Sequence, residues 1–94
     1  MSGAIRILER AVATMRERAA ERDKPKGERS MAATVAAFNA LTGHKLSVRD
    51  GWFFMIVLKM ARACATPTGR PDDYVDLVAY GGLAGESVQD EATT

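Results

Sequence analysis

The sequence predicts an all-α domain, a compact bundle of four short helices. Three observations lead to this prediction: apolar residues recur at steps of three and four, Pro and Gly fall between the periodic segments, and capping residues precede the helices. The chain has 94 residues, which is enough for one domain. We expect residues 1–86 to form this single helical domain and residues 87–94 to form a flexible C-terminal tail.

The first two helices are predicted on either side of a charged loop. The first covers about residues 2–22, and the loop at residues 23–29 contains a proline and a glycine. Ser30 is a suitable N-cap for the second helix, and Gly43 is a suitable residue to end it. The apolar stripe of the first helix is expected to enter the core (Ile5, Leu8, Val12, Met15 and Ala19). The second helix has its own apolar side (Met31, Val35, Phe38 and Leu41).

The third helix is predicted from its cap and from the length of its apolar run. Ser47 and Asp50 have the spacing of a capping box, in which each side chain bonds the backbone of the other residue. Every residue from 52 to 58 is apolar, and the run continues into residues 59–63, so a buried helix is favoured over a strand. We expect four of its side chains in the core (Trp52, Phe54, Met55 and Leu58).

The fourth helix is predicted to begin at Pro71, a residue suited to the first helical turn. Two acidic residues follow it, and they complement the positive end of the helix dipole. Gly81 and Gly82 each cost about 1 kcal/mol relative to alanine inside a helix. We therefore expect either close contact with another helix at these glycines or a helix end near Ala84.

Composition excludes several classes of protein. The net charge of +1 gives no overall field for binding nucleic acid or an anionic membrane. One cysteine, Cys64, and one histidine, His44, exclude an internal disulfide framework and the common zinc motifs. The apolar run at residues 52–58 is far shorter than the ~18 residues of a membrane span. We expect a soluble cytoplasmic protein, with Cys64 in the core and His44 solvated.

One set of charged residues forms the candidate site, and we expect four of its members to meet between the third and fourth helices (Lys59, Arg62, Asp73 and Asp76). Lys59 and Arg62 lie three residues apart on the most apolar helix, and they could bind phosphate oxygens. The fourth helix carries the acidic residues and a tyrosine that could complete a network (Asp72, Asp73, Asp76 and Tyr80). Asp73 and Asp76 have the spacing of a pair that could hold Mg²⁺. The alternatives are an ion-pair network that joins the two helices and simple compensation of the helix dipole.

Five blocks along the chain resemble a family of small phage and prophage proteins. The resemblance covers about residues 7–86 and is carried by the order of these blocks (27–31, 34–43, 51–55, 58–62 and 72–80). More distantly, the chain is similar to the MazG-like all-α nucleotide pyrophosphohydrolases. That resemblance implies a MazG-like helical bundle and a homo-oligomer.

The MazG-like enzymes cut nucleoside triphosphates with Mg²⁺ held by an E-E-x-x-E motif on one helix and an E-x-x-D motif on another. The segment from Asp73 to Asp76 resembles the second motif, with aspartate in place of glutamate. The second helix contains no carboxylate, and Glu28 lies just before it, so Glu28 is the further candidate metal ligand. A metal site that lacks part of its ligand shell is a poor catalyst.

Two classes of function follow from these observations. The first is a phage-encoded accessory protein that binds a host protein in the cytoplasm and inhibits a host defence complex, as anti-CRISPR proteins do. The alternative is a Mg²⁺-dependent nucleoside triphosphate pyrophosphohydrolase or a nucleotide-binding protein, so the sequence leaves open whether the chain is an enzyme. The surplus of apolar residues in the third helix also predicts a homo-oligomer.

Overall fold

Four helices make up the described part of the chain, which contains no strand. The computed structural model describes residues 3–21 and 30–93. The helices are α1 (Gly3–Glu21), α2 (Ser30–Thr42), α3 (Val48–Cys64) and α4 (Pro71–Thr93). The predicted all-α bundle of four helices is therefore confirmed. None of these helices is both long enough and apolar enough to cross a membrane.

Helices α3 and α4 form the central pair of the bundle. They pack along each other, α1 packs against α4, and α2 packs against α3. Within the described residues, no other pair of helices makes close backbone contact. Each outer helix therefore has a single helical neighbour, and this leaves much of its circumference open.

The core consists of two small clusters. In the first, Ala11 of α1 packs against Val75 and Ala79 of α4. In the second, Trp52 of α3 packs against two residues of α4, Leu83 and Ala84. The Trp52 ring also stacks on Tyr80, with the ring centroids 5.5 Å apart. Both clusters involve α4, which is the helix that organises the core.

The N-terminus of α3 has the predicted capping box. The Ser47 hydroxyl accepts a hydrogen bond from the Asp50 N–H at 3.0 Å, and the Ser47 N–H donates to the Asp50 carboxylate at 2.9 Å. The preceding connector is held by Asn39, whose side chain bonds both the N–H and the carbonyl of Leu46. Gly43 has a positive φ of 78°, as expected for the residue that ends α2.

The turn between α3 and α4 is held by its own hydrogen bonds. The Gly69 N–H donates to the Thr66 hydroxyl at 2.8 Å, and the Tyr74 hydroxyl donates to the Thr68 carbonyl at 2.6 Å. Gly69 has a φ of +73°, and a Cβ there would lie 3.1 Å from Ala63. Glycine suits this position because it adopts a positive φ readily and has no Cβ to contact Ala63. The tight turn makes α3 and α4 antiparallel neighbours.

The predicted core residues of α3 are only partly confirmed. Trp52 is buried, and Met55 and Leu58 are half-buried. Phe54 was expected in the core, but 74% of its surface is exposed. The run of apolar residues covers the whole circumference of α3, whereas α4 and α2 cover only part of it.

The apolar sides of α1 and α2 also differ from the prediction. In α2, Val35 is buried as expected, but Phe38 is exposed and Leu41 has 87% of its surface exposed. In α1, the residues that contact the core are Ile7, Ala11 and Met15. Met15 therefore contacts the core as expected, and the side chain of Ala19 lies outside the described part of the structure. Ile5, Leu8 and Val12 face outward, because α1 approaches α4 through the small side chain of Ala11.

The C-terminal helix is longer than the sequence predicts. It continues through its glycines to Thr93 instead of ending near Ala84. A Cβ placed on Gly81 or Gly82 would contact nothing within 4 Å among the described residues, so close helix contact does not explain these glycines. Burial of Leu83 and Ala84 against Trp52 holds the segment helical. The flexibility of residues 87–94 stays a prediction.

Candidate functional site

A charged cleft lies where α3 ends and α4 begins. Its volume is about 470 Å³. The turn between the two helices brings the C-terminal half of α3 beside the first turns of α4. The cleft is lined by charged side chains and two smaller residues (Lys59, Arg62, Ala65, Thr66, Arg70, Asp72, Asp73 and Asp76). The structure thus brings together the five charged residues of α3 and α4 that the sequence singled out.

Two other candidate residues are not part of this cleft. Tyr80 stacks on Trp52 in the core and does not line the cleft. Glu28, the further candidate metal ligand, lies outside the described residues. The proposed roles of the cleft residues in phosphate or metal binding stay predictions.

Lys59 and Asp76 form an ion pair across the helix interface. The Lys59 Nζ lies 2.8 Å from the Asp76 Oδ2, and the two side chains are only 11% and 16% exposed. Arg18 of α1 lies further away, with its guanidinium 3.9 Å from the other Asp76 oxygen. The carboxylate of Asp76 therefore connects three helices. The pair of Lys59 and Asp76 is one part of the ion-pair network considered from the sequence, whereas Arg62 and Asp73 do not pair in the described residues.

Asp73 stabilises the start of α4. It is buried, and its carboxylate accepts a hydrogen bond from the Arg70 N–H at 3.2 Å. In return the Asp73 N–H donates to the Arg70 carbonyl at 3.0 Å. Since a first-turn carboxylate of this kind satisfies an otherwise free backbone N–H, Asp73 has a complete structural role.

Asp72 points to the outer edge of the cleft. Its carboxylate pairs with the Arg10 guanidinium of α1 at 2.8 Å, and both side chains are largely exposed. All three carboxylates of the cleft therefore have a cation or a backbone N–H as partner.

The two candidate magnesium ligands of the cleft, Asp73 and Asp76, already have partners in the structure. A Mg²⁺ shell needs carboxylate oxygens that are free to face the ion. Lys59 contacts one oxygen of the Asp76 carboxylate, and the Arg70 N–H donates to one oxygen of the Asp73 carboxylate. Helix α2 has no acidic residue to supply the missing ligands. In the part of the chain that the structure describes, no group of three or more metal-ligating side chains comes together.

The cations of the cleft are less completely paired. Among the described residues, no carboxylate lies within 4 Å of the Arg62 or Arg70 guanidinium. Thr66 adds a hydroxyl whose oxygen accepts from Gly69 and whose proton can be donated. Two unpaired guanidinium groups and a hydroxyl on one cleft can bind an anion such as phosphate.

Sequence reasoning missed some of the residues that shape the cleft. Arg70 and Thr66 line it, and Arg10 and Arg18 bring charge from α1. The position of Arg70 directly before the Pro-Asp-Asp start of α4 was a signal that could have identified it. The pairings of α1 depend on how that helix packs, which no local motif shows.

The remaining candidates, His44 and Cys64, lie away from the cleft lining. The His44 ring stacks on Phe38 at 5.8 Å and is exposed, as expected of a solvated residue. Cys64 was expected in the core, but it is exposed. It lies on the side of α3 that no other described helix covers.

Comparison with known proteins places most of the chain in one family. The family model described as "Domain of unknown function (DUF6378)" matches residues 6–88. No curated protein and no solved structure matches the chain.

Proposed function

The chain belongs to the DUF6378 family, whose description gives no activity, and we propose that it is an interaction protein that binds another protein through exposed apolar helix faces. One observation carries this proposal. Among the described residues, 11 large apolar or aromatic side chains have at least 40% of their surface exposed. Three of them, Ile5, Leu8 and Val12, share one face of α1, and an exposed apolar patch of this kind is typical of protein interaction sites.

The face of α1 is the part of this surface that we assign to a foreign partner. Ile5, Leu8 and Val12 form an exposed stripe, and Glu9 and Arg16 flank it. The apolar centre of such a stripe can be buried against a partner, and the charged residues at its edge can form ion pairs with charged residues of that partner. Because the same helix is held to α4 by Ala11, this face is presented on a fixed element.

The resemblance to phage proteins suggests which partner this is. In that proposal the bundle is MazG-like, the chain acts in the cytoplasm of the host cell, and the partner is a host protein, such as a component of a defence complex. The contacts described above support binding through an apolar face, and the identity of the partner is supported by the resemblance alone.

The test is whether the chain retains a host protein and whether this retention requires the α1 face. Tagged chain is incubated with extract of host cells, and the retained protein is washed in about 1 M salt, where the Debye length is about 3 Å. Apolar contacts survive this wash, whereas exposed ion pairs are screened. We expect a partner in equimolar amount with the wild type and with Arg6→Glu, an exposed control on the same helix, but not with Val12→Glu. Equal recovery with Val12→Glu, or no retained protein, would contradict the proposal.

The second candidate function is binding of a nucleotide in the charged cleft. The specific observation in its favour is that Arg62 and Arg70 have no carboxylate partner among the described residues while they share a cleft with Lys59. Guanidinium groups bind phosphate oxygens in a bidentate way. In this candidate function the chain binds a nucleoside triphosphate, as the MazG-like enzymes do, but does not need to hydrolyse it with Mg²⁺.

Thermal melts with nucleoside triphosphates test this candidate. If the cleft binds them, the melting temperature rises with nucleotide in the wild type and much less in Arg62→Gln or Arg70→Gln. Release of pyrophosphate in the presence of Mg²⁺ would show an enzyme and would overturn the choice of an interaction protein.

A further inference from the structure

The free positive charge of the cleft comes from two arginines on different elements. Arg62 lies in the last turn of α3, and Arg70 directly precedes the first residue of α4. Both residues are exposed, and among the described residues neither guanidinium has a carboxylate within 4 Å. Lys59, by contrast, is already paired with Asp76. An anion that enters the cleft therefore meets the two arginines as its available cations.

The turn that carries Arg70 is fixed by hydrogen bonds. The N–H and the carbonyl of Arg70 are both bonded to Asp73, at 3.2 and 3.0 Å. Earlier in the same turn, the Thr66 hydroxyl accepts a hydrogen bond from the Gly69 N–H at 2.8 Å, and its own proton can be donated to a ligand. Donor groups on a backbone that is ordered before binding lose less entropy when a ligand binds. The backbone of this turn is thus held in place for an anion.

The lining of the cleft has groups that bind phosphate but no group that holds a base. Apart from its charged side chains, the cleft is lined by Ala65 and Thr66, and none of the lining residues that the structure describes is aromatic. Nucleic-acid bases are commonly held by stacking on aromatic side chains, and this strengthens binding at least about fivefold. The nearby Tyr80 is unavailable for such a role, because its ring stacks on Trp52 in the core.

We propose that the cleft binds a chain of phosphate groups through Arg62 and Arg70, without recognising a base and without requiring a metal ion. This inference rests on the second candidate function proposed above, and it specifies which part of a nucleotide the cleft recognises. The class of ligand is a triphosphate, either attached to a nucleoside or free. Inorganic triphosphate is therefore as good a ligand as any nucleoside triphosphate.

The residues of the cleft can neutralise a phosphate chain by themselves. A guanidinium group has five N–H donors in a planar fork and can bond two phosphate oxygens at once. Arg62 and Arg70 together provide two such forks, and the Thr66 hydroxyl provides a further donor. These groups supply the charge and the hydrogen bonds for which a triphosphate site otherwise uses a divalent cation.

Isothermal titration calorimetry in the presence of EDTA tests the inference. The wild type is titrated with ATP, GTP, inorganic triphosphate and adenosine. The three triphosphates are expected to have Kd values within about threefold of each other, since a stacked base would make ATP and GTP at least about fivefold tighter. Adenosine is expected to give no binding heat. Mg²⁺ added in excess over EDTA is expected not to lower any Kd.

Substitutions of single arginines place the ligand in the cleft. Arg62→Gln and Arg70→Gln are each expected to raise the Kd of inorganic triphosphate at least about tenfold, because each removes hydrogen bonds from a charged donor. Arg49→Gln is the matched control, since it removes the same charge from an exposed arginine of α3 that does not line the cleft. It is expected to keep the wild-type Kd. All three positions are exposed, so the helical circular dichroism spectrum is expected to stay unchanged.

Each alternative result has a separate meaning. A Kd for ATP or GTP at least about fivefold lower than that of inorganic triphosphate, or binding that requires Mg²⁺, would overturn the inference and leave nucleotide binding as a candidate function. An unchanged Kd in both Arg62→Gln and Arg70→Gln would overturn the inference by placing the ligand elsewhere. If none of the triphosphates binds, the candidate function fails together with the inference. None of these results affects the binding of a foreign partner to the α1 face.

Discussion

The Lys59 ammonium of α3 and the Asp76 carboxylate of α4 lie 2.8 Å apart, with both side chains mostly removed from water. This pair lines the charged cleft and joins the two central helices of the bundle. A buried pair of this kind contributes little net stability compared with apolar residues, because both ions lose their hydration. Removal of one partner strongly destabilises the fold, because it leaves the other ion buried without an opposite charge.

Asp76→Ala is therefore expected to destabilise the fold by about 3–5 kcal/mol. Urea denaturation of the variant and the wild type measures this difference. The matched control is Asp72→Ala, since Asp72 is 80% exposed and pairs with Arg10 at the surface. It is expected to cost less than about 1 kcal/mol. Equal costs for the two variants would show that the pair of Lys59 and Asp76 is solvated.

A related prediction concerns magnesium. If Asp76 serves the ion pair and Asp73 caps α4, Mg²⁺ alone gives no change in the melting temperature of the wild type, because the ion would compete with the existing partners of both carboxylates. A rise in melting temperature with Mg²⁺ that is lost in Asp76→Ala would contradict this assignment and restore the metal site that the sequence suggested.

The sequence predicted the helices and the meeting of the charged residues because both depend on local signals. Ser47 with Asp50, Gly43 and Pro71 each satisfy backbone groups within a few residues of themselves. A short turn after α3 makes α4 its antiparallel neighbour, so charges late in α3 meet charges early in α4.

The buried faces could not be predicted in the same way. In residues 52–58 every position is apolar, so the sequence has no periodicity that distinguishes buried Trp52 from exposed Phe54. In α1, the small side chain of Ala11 decides which side approaches α4, and this depends on tertiary packing. The length of α4 depends on the burial of Leu83 against α3, which outweighs the low helix propensity of the glycines before it.

The same glycine-to-alanine substitution is expected to have opposite effects at two helical positions. At Gly51 of α3, a Cβ would clash with the Met31 sulfur and would lie 2.9 Å from a methyl group of Val35. The methionine can move, but the β-branched valine has little freedom. Gly51→Ala is expected to destabilise the fold by about 1–3 kcal/mol in spite of its better helix propensity.

At Gly81 of α4, a Cβ would contact nothing within 4 Å among the described residues. Gly81→Ala is therefore expected to stabilise the fold by about 1 kcal/mol through helix propensity alone. Thermal or urea unfolding of the two variants in parallel measures both effects. A destabilising Gly81→Ala would show that a neighbour covers this position in solution, and a neutral Gly51→Ala would show that α2 moves freely over α3.

The capping box of α3 makes a prediction about pH. Hydrogen bonds from the backbone N–H of Ser47, and then from its hydroxyl, hold the pKa of the Asp50 carboxyl below its ordinary value of 3.8. Because the folded-state pKa is the lower one, the charged carboxylate stabilises the fold above the ordinary pKa, and this contribution is lost as the pH falls through the folded-state value.

Asp50→Asn keeps an acceptor for the Ser47 N–H but does not titrate in this range. The difference in unfolding free energy between the wild type and Asp50→Asn is expected to be constant near neutral pH and to shrink in acid, beginning near pH 4. Ser47→Ala, which removes the other half of the box, is expected to cost about 1 kcal/mol at neutral pH. If the unfolding free energies of the wild type and Asp50→Asn instead fall in parallel down to pH 2, the carboxylate does not cap α3 in solution.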